Sequence, residues 1–355
     1  MKITILGAGR WASCIGLCFD RKKYDVLMWD LDLGRVNPLF LTHTNNYVTL
    51  SDRVHFTHDL EKAVNHSDII VISILSQKVD EFMQKVKQIK GYDKKTYVLC
   101  MKGIEATTGR RLSEILIDNG VDKNKIAVFV GPGHVQSISA GQSTHMTISA
   151  YDSELAKKLQ KVFQNEHGMN VSITKDIIGT EIGAAAKNVY GIASGILSGS
   201  HLEQEKGPLL SASTHEIGNF IRAMGGDYKT ASGLAFAGEV ETTFFSPFSK
   251  NLTYGKTIAE RKTTENLSDV LDINSVEGIM TSHALIKKME EFNKKVDSSN
   301  EIKMPIAKAV SDICSGKVPL ENVGKYISEK ITESLNIDWW KTAKLDIKKD
   351  LYQIR

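Results

Sequence analysis

Two lysines and one glycine turn have the residue types and spacing to do chemistry in this chain of 355 residues. Lys187, followed by Asn188, stands in the middle of a stretch rich in Gly, Ala and Ile. An ammonium there is costly to bury without a partner or a task, the plain alternative being that it snorkels to solvent. Lys102 follows the apolar run Thr96–Met101, and read alone it is equally a solvated loop residue. Near the start, Gly7-Ala8-Gly9-Arg10-Trp11-Ala12 has the spacing G-x-G-x-x-A directly after the apolar Ile3–Leu6. Strand, glycine turn and helix together make a dinucleotide-binding start. Gly7 permits the tight turn, Gly9 lets the backbone approach a pyrophosphate, and Ala12 lets the helix pack close on the strand. The pyrophosphate would rest on the free N–H groups at the positive end of that helix. A glycine turn without a ligand is the bland alternative. Asp30, ending the run Tyr24–Trp29 about twenty residues past the glycines, can accept from both ribose hydroxyls and would repel a 2′-phosphate. That favours NAD, although Arg10 and Arg35 are near in sequence and could bind a phosphate, which leaves NADP open.

These groups need a scaffold, and the first half of the chain supplies alternating strands and helices. Asp68–Leu75, Thr96–Met101 and Lys125–Val130 are continuous apolar runs, as expected for parallel strands buried on both faces. Met146–Ser149 and Met169–Ile173 are shorter and read as edge strands. Helices are predicted over Ser13–Phe19, Asp59–Asn65, Val79–Lys90, Thr108–Asn119 and Ser153–Asn165. The pattern is an α/β domain of the Rossmann type, with a doubly wound, mostly parallel sheet, over residues 1–175. Beyond it the strand signals stop. Residues 176–201 read as one tightly packed helix, in which Gly183, Ala184, Ala186, Gly191 and Gly195 admit neighbouring backbones. Further helices are predicted over Leu209–Met224, Tyr254–Glu260, Val276–Asn293 and Pro305–Cys314. Residues 176–355 are therefore an all-α domain, with turns at Ser232-Gly233 and Gly238 and a polar loop over Phe244–Asn251. Trp339–Arg355 is amphipathic and lysine-rich. Ligands of such sheets bind at the carboxyl ends of the strands, which selects Lys102-Gly103-Ile104-Glu105 and Gly131-Pro132-Gly133-His134.

Composition narrows the classes. The chain is 41% hydrophobic and 25% charged with a net charge of +3, ordinary for a soluble globular protein and too weakly basic to argue for nucleic acid or a membrane surface. No apolar run is long enough to cross a bilayer, and the first strand leaves no room for a signal peptide. A cytoplasmic location is expected. The four cysteines show no C-x-x-C spacing, and Cys14 and Cys18, one helical turn apart, are explained by packing. The histidines form no H-x-x-x-H or H-E-x-x-H pattern, so no metal is expected. His134 and His215 are the two to watch, each better explained as a polar bystander.

In this order the motifs resemble the NAD(P)-dependent glycerol-3-phosphate dehydrogenases, over nearly the whole chain to about residue 330. The resemblance rests on Gly7–Trp11, Lys102–Glu105, Gly131-Pro132 with Ala140-Gly141, and Ala186-Lys187-Asn188-Val189-Tyr190-Gly191 through Gly195. Ser249-Lys250-Asn251, Val276-Glu277-Gly278 and Met304-Pro305-Ile306 continue it. It implies hydride transfer between a nicotinamide and C2 of a three-carbon phosphate, the pair being glycerol 3-phosphate and dihydroxyacetone phosphate, and so a supply for glycerophospholipid synthesis. Lys187 then looks like the general acid/base, its pKa lowered by burial and by Lys102, with Glu239 close to it. Lys102, Gly131, Lys187, Ser249, Lys250 and Asn251 would bind the substrate. Gly7, Gly9, Arg10, Trp11, Ala12, Asp30, Val135, Lys250 and Glu277 would bind the cofactor. The chain departs from the resemblance at Glu239, where the family has Asp, and at Lys250, where it has Arg. A related dehydrogenase with another hydroxy substrate, and a nucleotide-binding protein without turnover, are the other readings. The partner expected is a small phosphorylated molecule, with a homodimer left open.

Overall fold

The computed structural model describes residues 1–32, 39–265, 267, 269–272 and 275–337. Arg35 and the Trp339–Arg355 segment lie outside the described residues. The chain forms two compact units, one of residues 1–102 and 111–177, the other of residues 103–110 and 178–355.

In the first unit the strands are β1 (Lys2–Leu6), β2 (Asp25–Trp29), β3 (Val54–Thr57), β4 (Ile69–Ile72), β5 (Thr96–Leu99), β6 (Ile126–Val130), β7 (Thr144–Ala150) and β8 (Met169–Thr174). They form one eight-stranded sheet in the order β3-β2-β1-β4-β5-β6-β7-β8. Every neighbouring pair is parallel except β6 and β7. The order reverses between β1 and β4, the crevice where such sheets take ligands. The helices are α1 (Arg10–Arg21), α2 (Leu60–His66), α3 (Val79–Val86), α4 (Leu112–Asp118), α5 (Val135–Ser139) and α6 (Ser153–Phe163). Central strands such as β4 and β6 are buried along their whole length, which is why they read as unbroken apolar runs.

Two sequence expectations give way here, and one strand stands where none is expected. The edge strand β3 escapes notice because it is four residues long and interrupted by the exposed His55. The strand β7 is interior rather than an edge, lying between β6 and β8. The helix expected over Thr108–Asn119 starts only at Leu112, because Thr108, Gly109 and Arg110 are bound back onto Glu105 in a loop of the other unit.

The second unit is helical: α7 (Ile177–Gly199), α8 (Lys206–Ala223), α9 (Glu239–Phe245), α10 (Lys250–Arg261), α11 (Glu277–Asn293), α12 (Pro305–Cys314) and α13 (Val323–Leu335). Its small residues act as expected. A Cβ on Gly195 would lie 2.1 Å from the Leu252 carbonyl oxygen, and one on Gly255 would lie 2.0 Å from that of Ile192. Glycine on both helices thus lets the α7 and α10 backbones touch. Gly238 is not a turn: Leu234–Gly238 is a π-helical turn running directly into α9. The polar loop is also shorter than expected, since Phe244 and Phe245 end α9 and Ser249 caps α10 through its hydroxyl, which accepts from the Leu252 N–H. The unforeseen α13 is polar overall, yet Val323, Ile327 and Ile331 recur at a spacing that could have revealed it. No helix among the described residues is long and apolar enough to cross a membrane.

One fully buried carboxylate braces this unit. Glu216 of α8 accepts from the Ile306 and Ala307 N–H groups at the start of α12 and from the Tyr190 hydroxyl of α7, at 2.9, 3.3 and 2.9 Å. Burial pushes its pKa up from 4.5 to about 7 despite these donors. An acid with a raised folded pKa binds its proton more tightly when folded. Its stabilising contribution is therefore full below pH 4.5 and is lost as pH rises through about 7. Thermal melts are expected to show this loss in the wild type and to show a flatter profile in Glu216→Gln. Identical profiles would show that Glu216 does not titrate in this range.

Candidate active site

The groups singled out from the sequence fall in two places, one in each unit. In the sheet unit, Gly7 has φ of 118°, and a Cβ there would lie 2.3 Å from the Ser73 carbonyl oxygen. Only glycine fits this turn between β1 and α1. Gly9 is the N-cap of α1, bears no side-chain cap, and has open space where a Cβ would stand. Ala12 is completely buried. The first N–H groups of α1 are thus left for an anion.

Asp30 is buried, and its two oxygens accept from the Ala8 and Asp32 N–H groups at 2.7 and 2.9 Å. It braces the glycine turn as well as carrying charge at the end of β2. Arg10 is exposed, its guanidinium 5.6 Å from the centre of the Tyr47 ring. The Trp11 indole nitrogen is buried without a hydrogen-bond partner among the described residues. An orphaned donor, an uncapped helix start and an open glycine are what a dinucleotide would complete, so the residues present fit one.

Lys102 follows β5. Its ammonium lies 5.7 Å from the centre of the Trp11 ring and donates to the Gly131 carbonyl at 3.3 Å. Gly131, at φ of 148°, must be glycine, since a Cβ would lie 2.8 Å from Met146 Cα. The Val135 side chain is buried in the sheet unit's core, leaving its backbone for any contact with a ligand.

In the helical unit, Lys187 is largely buried on α7. Its Nζ donates to Thr243 Oγ1 at 2.9 Å and lies 3.5 Å from Glu239 Oε2, whose carboxylate is almost wholly buried. The Thr243 hydroxyl donates in turn to the Glu239 carbonyl at 2.7 Å. Thr243 was not foreseen, although its place one helical turn after Glu239 puts it on the same face of α9. The π-helical turn before α9 sets this face.

Beside this group runs a chain of amides. The Gly278 N–H donates to Asn251 Oδ1, Asn251 Nδ2 to Asn188 Oδ1, and Asn188 Nδ2 to Glu277 Oε2, at 3.0, 2.9 and 3.1 Å. The order fixes each amide's orientation: Asn251 has its oxygen pinned by a backbone donor and keeps an N–H to offer. Gly278 is needed because a Cβ would lie 2.5 Å from the Asn188 carbonyl oxygen. Glu277, expected to reach the cofactor, is tied into this chain through one oxygen. Ser249, Lys250 and Asn251 lie at the start of α10, with Lys250 exposed. They form a helix terminus rather than the polar loop expected. His215 makes a structural contact, pairing with the Tyr228 hydroxyl at 2.7 Å.

Known families match both parts. The NAD-dependent glycerol-3-phosphate dehydrogenase N-terminus matches residues 2–156, and the C-terminus of the same family matches residues 176–325. The glycerol-3-phosphate dehydrogenase [NAD(P)+] of Prosthecochloris aestuarii is 31% identical over 331 residues, 91% of this chain and 96% of that protein. The protein of the same name from Staphylococcus epidermidis is 29% identical over 336 residues, 93% of this chain and 98% of that protein. Among solved structures, the glycerol-3-phosphate dehydrogenase of Coxiella burnetii shares the fold with a TM-score of 0.81 at 22% identity, over 94% of this chain and 98% of that one.

Proposed function

We propose, since the chain belongs to the NAD-dependent glycerol-3-phosphate dehydrogenase family, that it interconverts sn-glycerol 3-phosphate and dihydroxyacetone phosphate with NAD or NADP. The observation that carries the reading is the Lys187 ammonium, held between the Thr243 hydroxyl and the Glu239 carboxylate. The nicotinamide, when bound, supplies the hydride for C2 of the ketone. The chain's part is then to deliver a proton to the C2 oxygen and to steady the charge that grows there. Lys187 gives that proton and recovers it in the reverse direction. Glu239 and Thr243 keep the ammonium aimed, and Lys102 donates a second hydrogen bond to the substrate. Ser249, Lys250 and Asn251 take the phosphate at the start of α10, where helix N–H groups and a lysine favour an anion. Gly7, Gly9, Arg10, Trp11, Ala12 and Glu277 hold the cofactor. The product is the backbone of glycerophospholipids, and a cytoplasmic enzyme suits that supply.

The test is oxidation of NADH by the purified protein with dihydroxyacetone phosphate. Turnover supports the reading. Activity confined to another carbonyl substrate would move Glu239 and Lys250 to the centre of an altered specificity, and NADH binding without any turnover would leave a nucleotide-binding protein. Cofactor choice has its own test. Asp30→Asn removes the charge that opposes a 2′-phosphate while keeping an oxygen acceptor, and is expected to shift the NADPH/NADH ratio of kcat/KM upward by roughly tenfold. An unchanged ratio would remove Asp30 from cofactor discrimination.

A further inference from the structure

The segment Gly103–Arg110 leaves the sheet unit immediately after Lys102, joins the helical unit, and returns at Arg111. It is braced within itself. The Arg110 guanidinium forks onto the Glu105 carboxylate with both bonds at 2.9 Å, and Thr108 Oγ1 bonds the same carboxylate. Two backbone bonds close the loop, Glu105 N–H to the Arg110 carbonyl at 3.0 Å and Gly109 N–H to the Glu105 carbonyl at 2.8 Å. It is also rooted. Ile104 is 3% exposed and belongs to the apolar core that includes Ala186 and Val189, on either side of Lys187 and Asn188. At the tip, Lys287 Nζ of α11 donates to the Thr107 carbonyl at 2.6 Å, and Gly109 packs against the Lys288 stem so closely that a Cβ would lie 2.7 Å from its Cγ. A flexible surface loop would need none of these bonds.

We propose that this strap is a positioning device for Lys102: the helical unit, through Ile104 and Lys287, fixes where the backbone one residue after Lys102 can stand. Ile104 and Lys287 are then positioning residues that act on the substrate through Lys102. The inference rests on the role given to Lys102 in the proposed reaction. Misplacing a reacting group by ~1 Å costs on the order of 10²-fold in rate, so a strap that fixes one peptide bond has leverage.

The experiment compares Ile104→Ala and Lys287→Ala with the conservative Ile104→Val and Lys287→Arg. It measures kinetics with dihydroxyacetone phosphate, NADH affinity by fluorescence, and the reactivity of Lys102. Reactivity is read as borohydride-trapped labelling by pyridoxal phosphate, located by peptide mass spectrometry. Ile104→Ala is expected to lower kcat/KM roughly tenfold, with NADH affinity unchanged and Lys102 labelling altered severalfold. Lys287→Ala should give a smaller change of the same sign, and the conservative variants should restore wild-type values. Wild-type kinetics and labelling in both alanine variants would overturn the inference, as would an equal loss of NADH affinity. If Ile104→Ala fails to fold, the exposed Lys287 pair decides. If the wild type does not reduce dihydroxyacetone phosphate, the reaction reading fails by itself, and Lys102 labelling still decides the strap.

Discussion

Lys187→Ala is expected to lower kcat/KM for dihydroxyacetone phosphate by roughly 10³-fold or more while leaving NADH affinity unchanged. The substitution removes both the proton donor and the positive charge that meets the growing oxyanion, and general acid catalysis alone contributes about 10²–10⁴-fold. It has a second effect that must be separated from the first. Glu239 is 1% exposed, and removing Lys187 takes away an ammonium 3.5 Å from this buried carboxylate. Breaking such a pair costs about 3–5 kcal/mol, so the variant should also be less stable. The double variant Lys187→Ala/Glu239→Gln distinguishes the two, because a neutral amide beside Thr243 relieves the buried charge and supplies no acid. Recovered stability with activity still absent is the expected outcome. Activity within about tenfold of wild type in the single variant would remove Lys187 from the proton transfer.

Gly255→Ala is expected to lower stability through a backbone clash. In an exposed helix the change would help, since alanine is favoured over glycine by about 1 kcal/mol. Here the new methyl would lie 2.0 Å from the Ile192 carbonyl oxygen and 2.9 Å from the Ile196 nitrogen, so α7 and α10 would have to separate. Overpacking of this kind costs typically about 1–3 kcal/mol, and more when backbone atoms are what is struck. Separation would also draw Asn251, on α10, away from Asn188, on α7. The denaturant midpoint should fall, and the KM for the phosphorylated ketone should rise with it. Gly207→Ala is the matched control, because a Cβ there meets nothing within 4 Å; it should be neutral or stabilising. A Gly255→Ala protein as stable as the wild type would show that the helices are not held at this distance.

How much of this could be read beforehand follows from where each constraint comes from. The sheet is legible because strands such as β4, buried on both faces, have to be apolar throughout, and because Gly7 and Gly9 answer to local backbone geometry. Lys187 is conspicuous as a charge in an apolar helix. What escapes is set by pairing across long separations. Lys187 meets Thr243 across 56 residues and Asn188 meets Glu277 across 89, and neither pairing leaves a periodic trace. The same holds for Asp30: its place at the end of β2 is legible, but its bond to the Ala8 N–H is not. The strap is hidden for another reason. Its residues look like the connection between β5 and α4, and only the burial of Ile104 in a distant core shows otherwise.

Because the chain passes between the units after Lys102, after Arg110 and after Ile177, neither unit is a single uninterrupted stretch of coding sequence. A recombination event that exchanged only residues 178–355 with a relative would bring in a new helical core and keep the old Ile104. The newcomer would have to offer that side chain a seat of the same shape, and an α11 able to receive Thr107 and Gly109. The nucleotide-binding and helical parts are therefore expected to be inherited together. Chimaeras between relatives should tolerate a junction at Ile177 only when residues 103–110 travel with the helical donor.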